Sequence, residues 1–255
     1  MTNPVIEQIA RHVSVRSFMP EPVSRGMIEA IVAAGQRAAT SSNLQLYSVV
    51  AVTDAATRQR LATLCGDQEQ IREAPVFLAW CADRRRLERA CDLRGYTQNN
   101  EYLESFLVAA VDVALIMQNA ALAAESLGLG MCYIGAIRNN TQAVIDLLHL
   151  PPLVFPISGM TLGWPNAEPP RRPRLPLPAV LYWERYDDSS LEPLLHEYDQ
   201  AMAATGIYQG RQVPAPGKPG VMEDYGWTEH SARRVTEPQR TELRAVAERQ
   251  GFGLR

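Results

Sequence analysis

Residues 105–130, "SFLVAAVDVALIMQNAALAAESLGLG", decide the architecture of this 255-residue chain. They form most of a segment, 101–127, that contains no glycine or proline and stops at Gly128, a residue type that favours the turn beyond a helix. The segment predicts a single helix of about 27 residues, roughly 40 Å long. Apolar side chains cover most of its circumference, which one sheet face cannot bury, and we therefore expect a second subunit against it.

Polar residues interrupt this helix too often for a span that faces lipid. They are Asp112, Gln118, Asn119 and Glu125. The helix is therefore predicted to be buried in a soluble protein that has no membrane partner. The first residues, "MTNPVIEQIARHV", lack the basic start, apolar centre and cleavage site of a signal peptide, so we expect the protein in the cytoplasm.

Helical and extended patterns alternate around the long helix. Ser24 and Asp54 are predicted to cap helices, and strands are predicted at 46–52 and 75–82. The second strand is apolar on both faces, so we expect it at the centre of a sheet. Two more strands are predicted in "MCYIGAI" and "PISGMTLGW", on either side of a helix capped at Asn140. The pattern indicates an α+β or α/β layered domain with a sheet covered on both sides.

The composition changes after Trp164, where "PNAEPPRRPRLPLP" places six prolines and three arginines in fourteen residues. Proline removes backbone donors, so this segment cannot form regular central structure. We find no internal repeat and expect a single domain over 1–255. Within its second half we expect an extended arm at about 165–180, a helix at 190–204, a Gly/Pro-rich loop at about 205–226 and a final helix at 237–250.

Charge and metal-ligating residues exclude several partners. The formal net charge is −3, and the basic residues are spread along the chain, so no nucleic acid partner is expected. The histidines lack metal-ligand spacing, and no metal site is predicted. The cysteines contain no C-x-x-C pair and are predicted to be buried thiols that form no disulfides. They are Cys65, Cys81, Cys91 and Cys132.

The basic residues also restrict the chemistry, because every one except Lys218 is an arginine. Lys218 stands in "PAPGKPG", a Pro/Gly loop unsuited to the desolvated pocket that Schiff-base chemistry needs. The sequence also lacks the G-K-[ST] of a P-loop and the G-x-S-x-G of a serine esterase. What remains is binding, or chemistry carried out by a cofactor.

Three polar clusters are candidates for binding that cofactor. "RHVSVRSF" (11–18) collects side chains that bind anions beside a short amphipathic helix. "ATSSNLQLYS" (39–48) is either a turn and cap cluster or a set of hydrogen-bonding groups for a polar heterocycle. Arg172 and Arg174, on the Pro-rich arm, are either solvated surface charges or a clamp for phosphate.

The glycine pattern "GLGMCYIG" starts like a dinucleotide fingerprint and then departs from it. Tyr133 stands at the third glycine position, and the glycines follow a helix and precede a strand, the reverse of the order that places pyrophosphate at a helix N-terminus. A helix cap and tight turn explain Gly128 and Gly130. Gly135, predicted in mid-strand, suggests that the backbone approaches a flat group there.

Six motifs together give a family resemblance that no single one would carry. The sequence resembles the FMN-dependent nitroreductase superfamily, and most closely its oxygen-insensitive NADPH nitroreductase and flavin reductase branch, over about residues 4–187. The motifs occur in that family's order and approximate spacing: "HVSVRSF", "ATSSNLQLYSVVAV", "GDQ", "AAESLGLGMCYIGAIRNN", "FPISGMTLGWP" and "RPRLP".

The resemblance implies a homodimer with an α+β sandwich, a mostly antiparallel central sheet flanked by helices, and two FMN sites lined by both subunits. His12, Ser14 and Arg16 would meet the phosphate, ribityl chain and pyrimidine edge, and Arg16 would support the reduced flavin. No protein acid or base is expected to be catalytic. The positions carried over to the FMN site are His12, Ser14, Arg16, Ser41, Ser42, Asn43, Gln45, Gln68, Tyr133, Ile134, Gly135, Arg172 and Arg174.

The implied function is an oxidoreductase that takes hydride from NADPH or NADH and reduces nitroaromatics, quinones or free flavin in a ping-pong, two-electron reaction. Two alternatives are the same fold with a specialised electron acceptor and a flavin-binding module without turnover. The sequence departs from the family pattern at Val13, where an arginine is common. It also departs in the 205–226 loop, where Arg211 is the only arginine left to bind NAD(P)H.

Overall fold

The structure is a computed structural model that describes residues 2–167, 169–215, 217–222 and 225–255. The chain divides into two compact units, Met1–Pro169 with Arg240–Arg255, and Pro170–Gln239. The single domain expected over 1–255 stays a prediction.

The first unit contains most of the regular structure. Its strands are β1 (Tyr47–Val52), β2 (Val76–Asp83), β3 (Gly130–Ile134) and β4 (Val154–Gly163). Its helices are α1 (Pro4–Ala10), α2 (Arg25–Gly35), α3 (Ala55–Leu64), α4 (Glu69–Glu73), α5 (Arg85–Arg94), α6 (Leu103–Ser126), α7 (Thr141–Leu147) and, near the C-terminus, α10 (Leu243–Arg249).

The four strands form one sheet in the order β1-β2-β4-β3, and every neighbouring pair is antiparallel. β2 pairs on both sides and is buried along its whole length, which confirms the central position predicted from its continuous apolar run. One face packs against α2 and α6, and the other against α3 and α7. The α+β fold with a covered sheet is therefore confirmed.

The caps predicted for α2 and α3 are present. Ser24 Oγ accepts from the N–H of Met27 at 3.2 Å, and Asp54 Oδ2 accepts from the N–H of Thr57 at 2.7 Å. Both bonds satisfy a backbone donor that has no partner inside the helix. Local sequence thus sets where these helices begin.

The long helix α6 runs for 24 residues and ends in the turn that Gly128 predicts. Gly128 has φ +83°, and its N–H donates to the carbonyl of Glu125, while the N–H of Leu129 donates to that of Ala124. These two bonds form a Schellman motif, which turns the chain directly into β3. Glu125 consequently lies in the last turn of α6, beside the start of the strand.

α6 is a core helix on one side and an apolar surface on the other. By length and composition alone it could cross a membrane, with a mean hydropathy of 1.9. Its inner face packs in the core, where Asp112 is buried along with Val113 and Ile116. Its outer face carries a stripe at four-residue spacing whose members are 42 to 54% exposed: Leu103, Leu107, Val111 and Leu115.

Two local predictions around β3 are wrong. Gly135 does not lie in mid-strand, because β3 ends at Ile134 and Gly135–Arg138 forms a 3-10 turn. At the end of this turn, the Arg138 guanidinium donates to the carbonyl of Ile157 in β4. Asn140 is at the predicted N-cap position of α7, but its side chain forms no cap hydrogen bond; its Nδ2 donates to the carbonyl of Leu64 at 2.7 Å.

The second unit contains α8 (Leu191–Ala204) and α9 (Trp227–Thr236). α8 confirms the helix expected at 190–204. Its Tyr198 and Met202 pack with Tyr208 in a buried cluster of their own. In the 165–180 arm, the structure has no helix or strand at 170–176 and a 3-10 turn at Leu177–Ala179; Glu168 of the arm lies outside the described residues.

The helix predicted at 237–250 is wrong in its extent. The structure has α9 before this stretch and α10 only from Leu243. Glu237 has an extended backbone, φ −93° and ψ 130°, as the residue before Pro238 is expected to have. Pro238 thus follows the end of α9, a helix that the sequence did not predict, and α10 begins six residues later than the predicted helix.

The cysteine prediction is confirmed for three positions and wrong for one. Cys65, Cys81 and Cys132 are buried, whereas Cys91 is half-exposed on α5. Burial raises the pKa of the Cys65 thiol to about 12, and burial followed by the charge of Asp83 raises that of Cys81 to about 12. Cys91 is the exception because it lies on α5, a polar helix that has no buried residue.

Candidate functional site

The segment that contains His12, Ser14 and Arg16 lies beside β3. Ser14 forms a parallel bridge with Met131, and the N–H of Val15 donates to the Met131 carbonyl at 2.9 Å. The contact depends on a glycine, because a Cβ at Gly130 would stand 2.6 Å from Val15 Cγ2. The segment is therefore fixed against the strand whose backbone was predicted to meet the cofactor.

Alternate residues of this segment face different surroundings. Val13 packs with buried Val15 in a small apolar cluster that includes Phe18 and Ala74. Arg16 is exposed, and its Nη1 donates to the Ser14 carbonyl at a long 3.4 Å, which leaves most of its donors uncommitted. Val13, the departure from the family pattern, thus serves packing, while Arg16 is available to bind an anion.

His12 is held by a carboxylate from the end of α6. Its Nδ1 lies 2.5 Å from Oε1 of Glu125, a residue 113 positions away in the sequence. The Glu125 side chain is 11% exposed and that of His12 27% exposed. The contact fixes the orientation of the imidazole and directs Nε2 away from α6.

The loop at 41–45 has an unusual backbone. Ser42, Asn43 and Gln45 all have positive φ, at 48°, 57° and 53°. Such conformations cost free energy in residues with side chains, and they concentrate at ligand sites. The loop is held by buried Asp112, whose Oδ1 accepts from the N–H of Ser41 at 3.0 Å and whose Oδ2 accepts from that of Leu46 at 3.1 Å.

The side chain of Tyr133 contacts the long helix, and its backbone belongs to the β3–β4 ladder. Its hydroxyl donates to Gln118 Oε1 at 3.3 Å. Burial, and then the charge of Glu125, raises the pKa of this hydroxyl, so the phenol stays neutral. Beyond Ile134, which is buried, an added Cβ at Gly135 would meet only the Arg138 guanidinium, at 3.6 Å, among the described residues. The backbone at Gly135 is thus open to a flat ligand.

Gln68 stands at the start of α4 and is half-buried. Its Nε2 donates to the carbonyl of Cys65 at 2.8 Å, which leaves its amide oxygen to accept from the side chain of Gln70. The side chain is therefore oriented by its own loop.

The three arginines predicted to bind phosphate or NAD(P)H belong to the second unit. Arg174 is exposed and donates to the carbonyls of Arg172 and Pro173. Burial and then Tyr198 raise the pKa of the Tyr208 hydroxyl, while Arg172 and Arg211 lie near enough to oppose that rise. The structure therefore brings Arg172 and Arg211 to the same phenol, although 39 positions separate them.

Sequence reasoning identified the polar residues of α6 but missed what they do. Asp112 holds the 41–45 loop, Gln118 holds Tyr133, and Glu125 holds His12. Each therefore contacts a different segment of the predicted site. The available signal was a carboxylate or amide on the apolar face of a buried helix, since such a group requires a hydrogen-bonding partner.

A model of the nitroreductase family matches residues 9–164, and a model of the C-terminal domain of that family matches residues 172–255. The chain belongs to the nitroreductase family. This confirms the resemblance found in the six motifs.

Individual known proteins are similar to this chain over almost its whole length. The chain is 36% identical over 253 residues to an oxygen-insensitive NADPH nitroreductase from Salmonella typhimurium, covering 99% of this chain and 100% of that protein. It is 37% identical over 253 residues to an FMN reductase [NAD(P)H] from Bacillus subtilis, covering 98% of each. The structure of NfrA2 from B. megaterium is similar over 100% of both chains, with a TM-score of 0.91 and 35% identity.

Proposed function

We propose that this protein is an FMN-dependent NAD(P)H oxidoreductase that reduces nitroaromatics, quinones or free flavin. The observation that carries the proposal is the match over almost the whole chain to an NADPH nitroreductase and an FMN reductase. When bound, FMN supplies a hydride acceptor at N5 and passes two electrons to a second substrate, which gives a ping-pong reaction. NADPH or NADH is the reductant.

The residues present fit FMN. A phosphate needs a donor that is not already bound in the fold, and Nε2 of His12 meets that need. The pyrimidine edge needs a cation with uncommitted donors, and Arg16 meets that need. A flat ring needs a backbone without a covering side chain, and Gly135 meets that need. A polar heterocycle needs exposed hydroxyl and amide groups in a fixed arrangement, and the left-handed 41–45 loop offers them.

Different residues of the chain bind different parts of FMN. His12 binds the phosphate, and Ser14 binds the ribityl chain. The assignment of Arg172 and Arg174 to a phosphate stays a prediction from the sequence. Arg16 lies at the pyrimidine edge, where a cation stabilises negative charge on the reduced ring. The 41–45 loop and Gln68 hydrogen-bond the polar edge, and the backbone of 133–135 lies along the ring.

We also propose that the protein is a cytoplasmic homodimer. The outer stripe of α6 leaves four large apolar side chains half-exposed, and monomeric proteins rarely expose such a row. Along α6, Asp112 and Glu125 are thirteen residues apart, or about 20 Å. Two sites lined by both subunits would let the 41–45 loop of one chain and the His12 segment of the other bind one cofactor.

Arg211 is the residue we assign to the reductant. NADPH differs from NADH by a 2′-phosphate, which a guanidinium binds well. Arg211 is exposed in the 205–226 loop. Burial raises the pKa of the Tyr208 hydroxyl, and Arg211, like Arg172, lowers it. Pro216, Glu223 and Asp224 of this loop lie outside the described residues.

Anaerobic titration of the FMN-loaded protein with NADPH and NADH, run in parallel, tests the proposed function. We expect the flavin absorbance to bleach promptly, and a nitroaromatic, a quinone and free FMN each to restore it. A protein that stays colourless after incubation with FMN contradicts the proposal. Bleaching that only one of the three oxidants reverses indicates a specialised acceptor instead.

A further inference from the structure

The contact between Glu125 and His12 has the properties of a charged pair. Glu125 Oε2 is buried and has no hydrogen-bond partner among the described residues, while Oε1 lies 2.5 Å from His12 Nδ1. In the described part of the chain, His12 is the one basic side chain within 4.0 Å of this carboxylate. A buried carboxylate with a single neutral donor is costly, whereas a cationic donor offsets much of that cost.

The position of Glu125 in the helix adds a second cost. It lies in the last turn of α6, where the carbonyl ends of the helix dipole disfavour negative charge, and that turn contains no basic residue. Tyr133, the other group that acts on Glu125, is a neutral phenol bound to Gln118. Among the described residues of the chain, His12 is therefore the source of the compensating positive charge.

We propose that Glu125 is a positioning residue that binds His12 as a charged partner, so that the imidazolium donates Nδ1–H to the carboxylate and Nε2–H to the phosphate of FMN. This inference rests on the proposed function, because it takes FMN as the ligand. It adds a role for Glu125, which was notable in the sequence only as an interruption of an apolar helix. Its consequence is selective: Glu125 supports recognition of the phosphate and not of the flavin ring.

The Glu125→Gln variant tests the proposal, because glutamine keeps the shape and the acceptor oxygen but removes the charge. Dissociation constants of the full-length apoprotein are measured for FMN and for riboflavin, which lacks the phosphate. We expect the variant to bind FMN on the order of tenfold more weakly, the loss of one charge-assisted hydrogen bond, with little change for riboflavin. Glu104→Gln, an exposed carboxylate on the same helix, is the matched control and should change neither constant.

Equal weakening of FMN and riboflavin would assign Glu125 a structural role and overturn the proposal, as would unchanged FMN binding. If the wild-type protein binds neither flavin, the proposed function fails rather than this inference.

A second measurement does not depend on the stability of the variant. In ¹⁵N-histidine NMR spectra of the wild-type apoprotein at neutral pH, both ring nitrogens of His12 should have the chemical shifts of an imidazolium. The signal is assigned by its loss in His12→Asn. A neutral tautomer at His12 would contradict the inference, whatever the protein does with flavin.

Discussion

The backbone N–H of Ser41 donates to buried Asp112 at 3.0 Å, so a carboxylate in the protein core holds a surface loop in place. The other oxygen of Asp112 accepts from Leu46 at the far end of the loop. One side chain therefore fixes both ends of a segment with three left-handed residues. A loop that is ordered before the ligand arrives loses less conformational entropy on binding.

Asp112→Asn should destabilise both the loop and the protein. An amide has one oxygen acceptor, so one of the two buried N–H groups loses its partner at a cost of about 2 kcal/mol. For a chain of this size that cost corresponds to a fall in Tm of about 4–8 °C. Thermal unfolding and FMN affinity should both decrease, while Asp146→Asn, an exposed carboxylate on α7, should leave both unchanged. An unaltered Tm for Asp112→Asn would show that the loop does not depend on this residue.

Gly130→Ala should displace the His12 segment from β3. The new Cβ would stand 2.6 Å from Cγ2 and 2.7 Å from Cβ of buried Val15, whose β-branched side chain has little freedom to move. We expect a loss of about 1–3 kcal/mol in the free energy of unfolding, together with weaker FMN binding. Gly26→Ala is the control, because nothing lies within 4 Å of its added Cβ in α2, and it should be neutral or slightly stabilising. Denaturant unfolding measures the stability of both variants. Equal stabilities would show that Gly130 does not lie in close contact with Val15.

Arg16→Ala should lower FMN affinity and slow flavin reduction. Arg16 contributes one long hydrogen bond to the fold, so its loss should leave the stability within about 0.5 kcal/mol of wild type. The loss of a cation beside the reduced ring should slow reduction by roughly tenfold or more. Stopped-flow reduction by NADPH measures the rate, and Arg25→Ala, an exposed arginine on α2, serves as control. An unchanged flavin content and an unchanged rate of flavin reduction would show that Arg16 is not part of the site.

Leu107→Glu should convert the protein to monomers that bind FMN poorly. Leu107 lies in the outer stripe of α6 and is 54% exposed in the single chain, so a charge there would be buried without a partner in a dimer. Light scattering after size-exclusion chromatography gives the mass. Leu93→Glu, on a polar helix, should remain dimeric. A dimer that persists in Leu107→Glu would place the subunit contact elsewhere.

Cys91 should be the first thiol to react with iodoacetamide. At pH 8, a thiol with a pKa of about 12 is ionised in roughly one molecule in ten thousand, and Cys65 and Cys81 are also buried. Because a higher pH is needed to form these thiolates, their modification should increase only as pH rises or the protein unfolds. Mass spectrometry of peptides after timed alkylation identifies the sites, and early labelling of Cys65 would contradict the predicted order.

The sequence predicted the elements whose causes are local. Ser24 and Asp54 cap their helices with bonds to residues three positions on, and Gly128 supplies a left-handed turn for its immediate neighbours. The buried strand β2 followed from a continuous apolar run. By contrast, Asn140 stands at a cap position, yet its side chain is oriented by a hydrogen bond that Nδ2 donates to the distant carbonyl of Leu64. A local pattern fails where a partner from another part of the chain offers a better hydrogen bond.

By itself, the sequence determined a layered domain of helices and strands, the long helix α6 and the chemical types of the candidate site, because periodicity, caps and the supply of arginine and histidine are properties of short segments. The choice of α+β over α/β came from the family resemblance. Only the tertiary structure decided how Glu125 meets His12 across 113 positions and Asp112 meets Ser41 across 71. These pairings depend on the stacking of α6 against the sheet, which brings distant segments within hydrogen-bonding distance. Polar side chains on a buried helix require hydrogen-bond partners. The packing of the whole fold determines which residues those partners are.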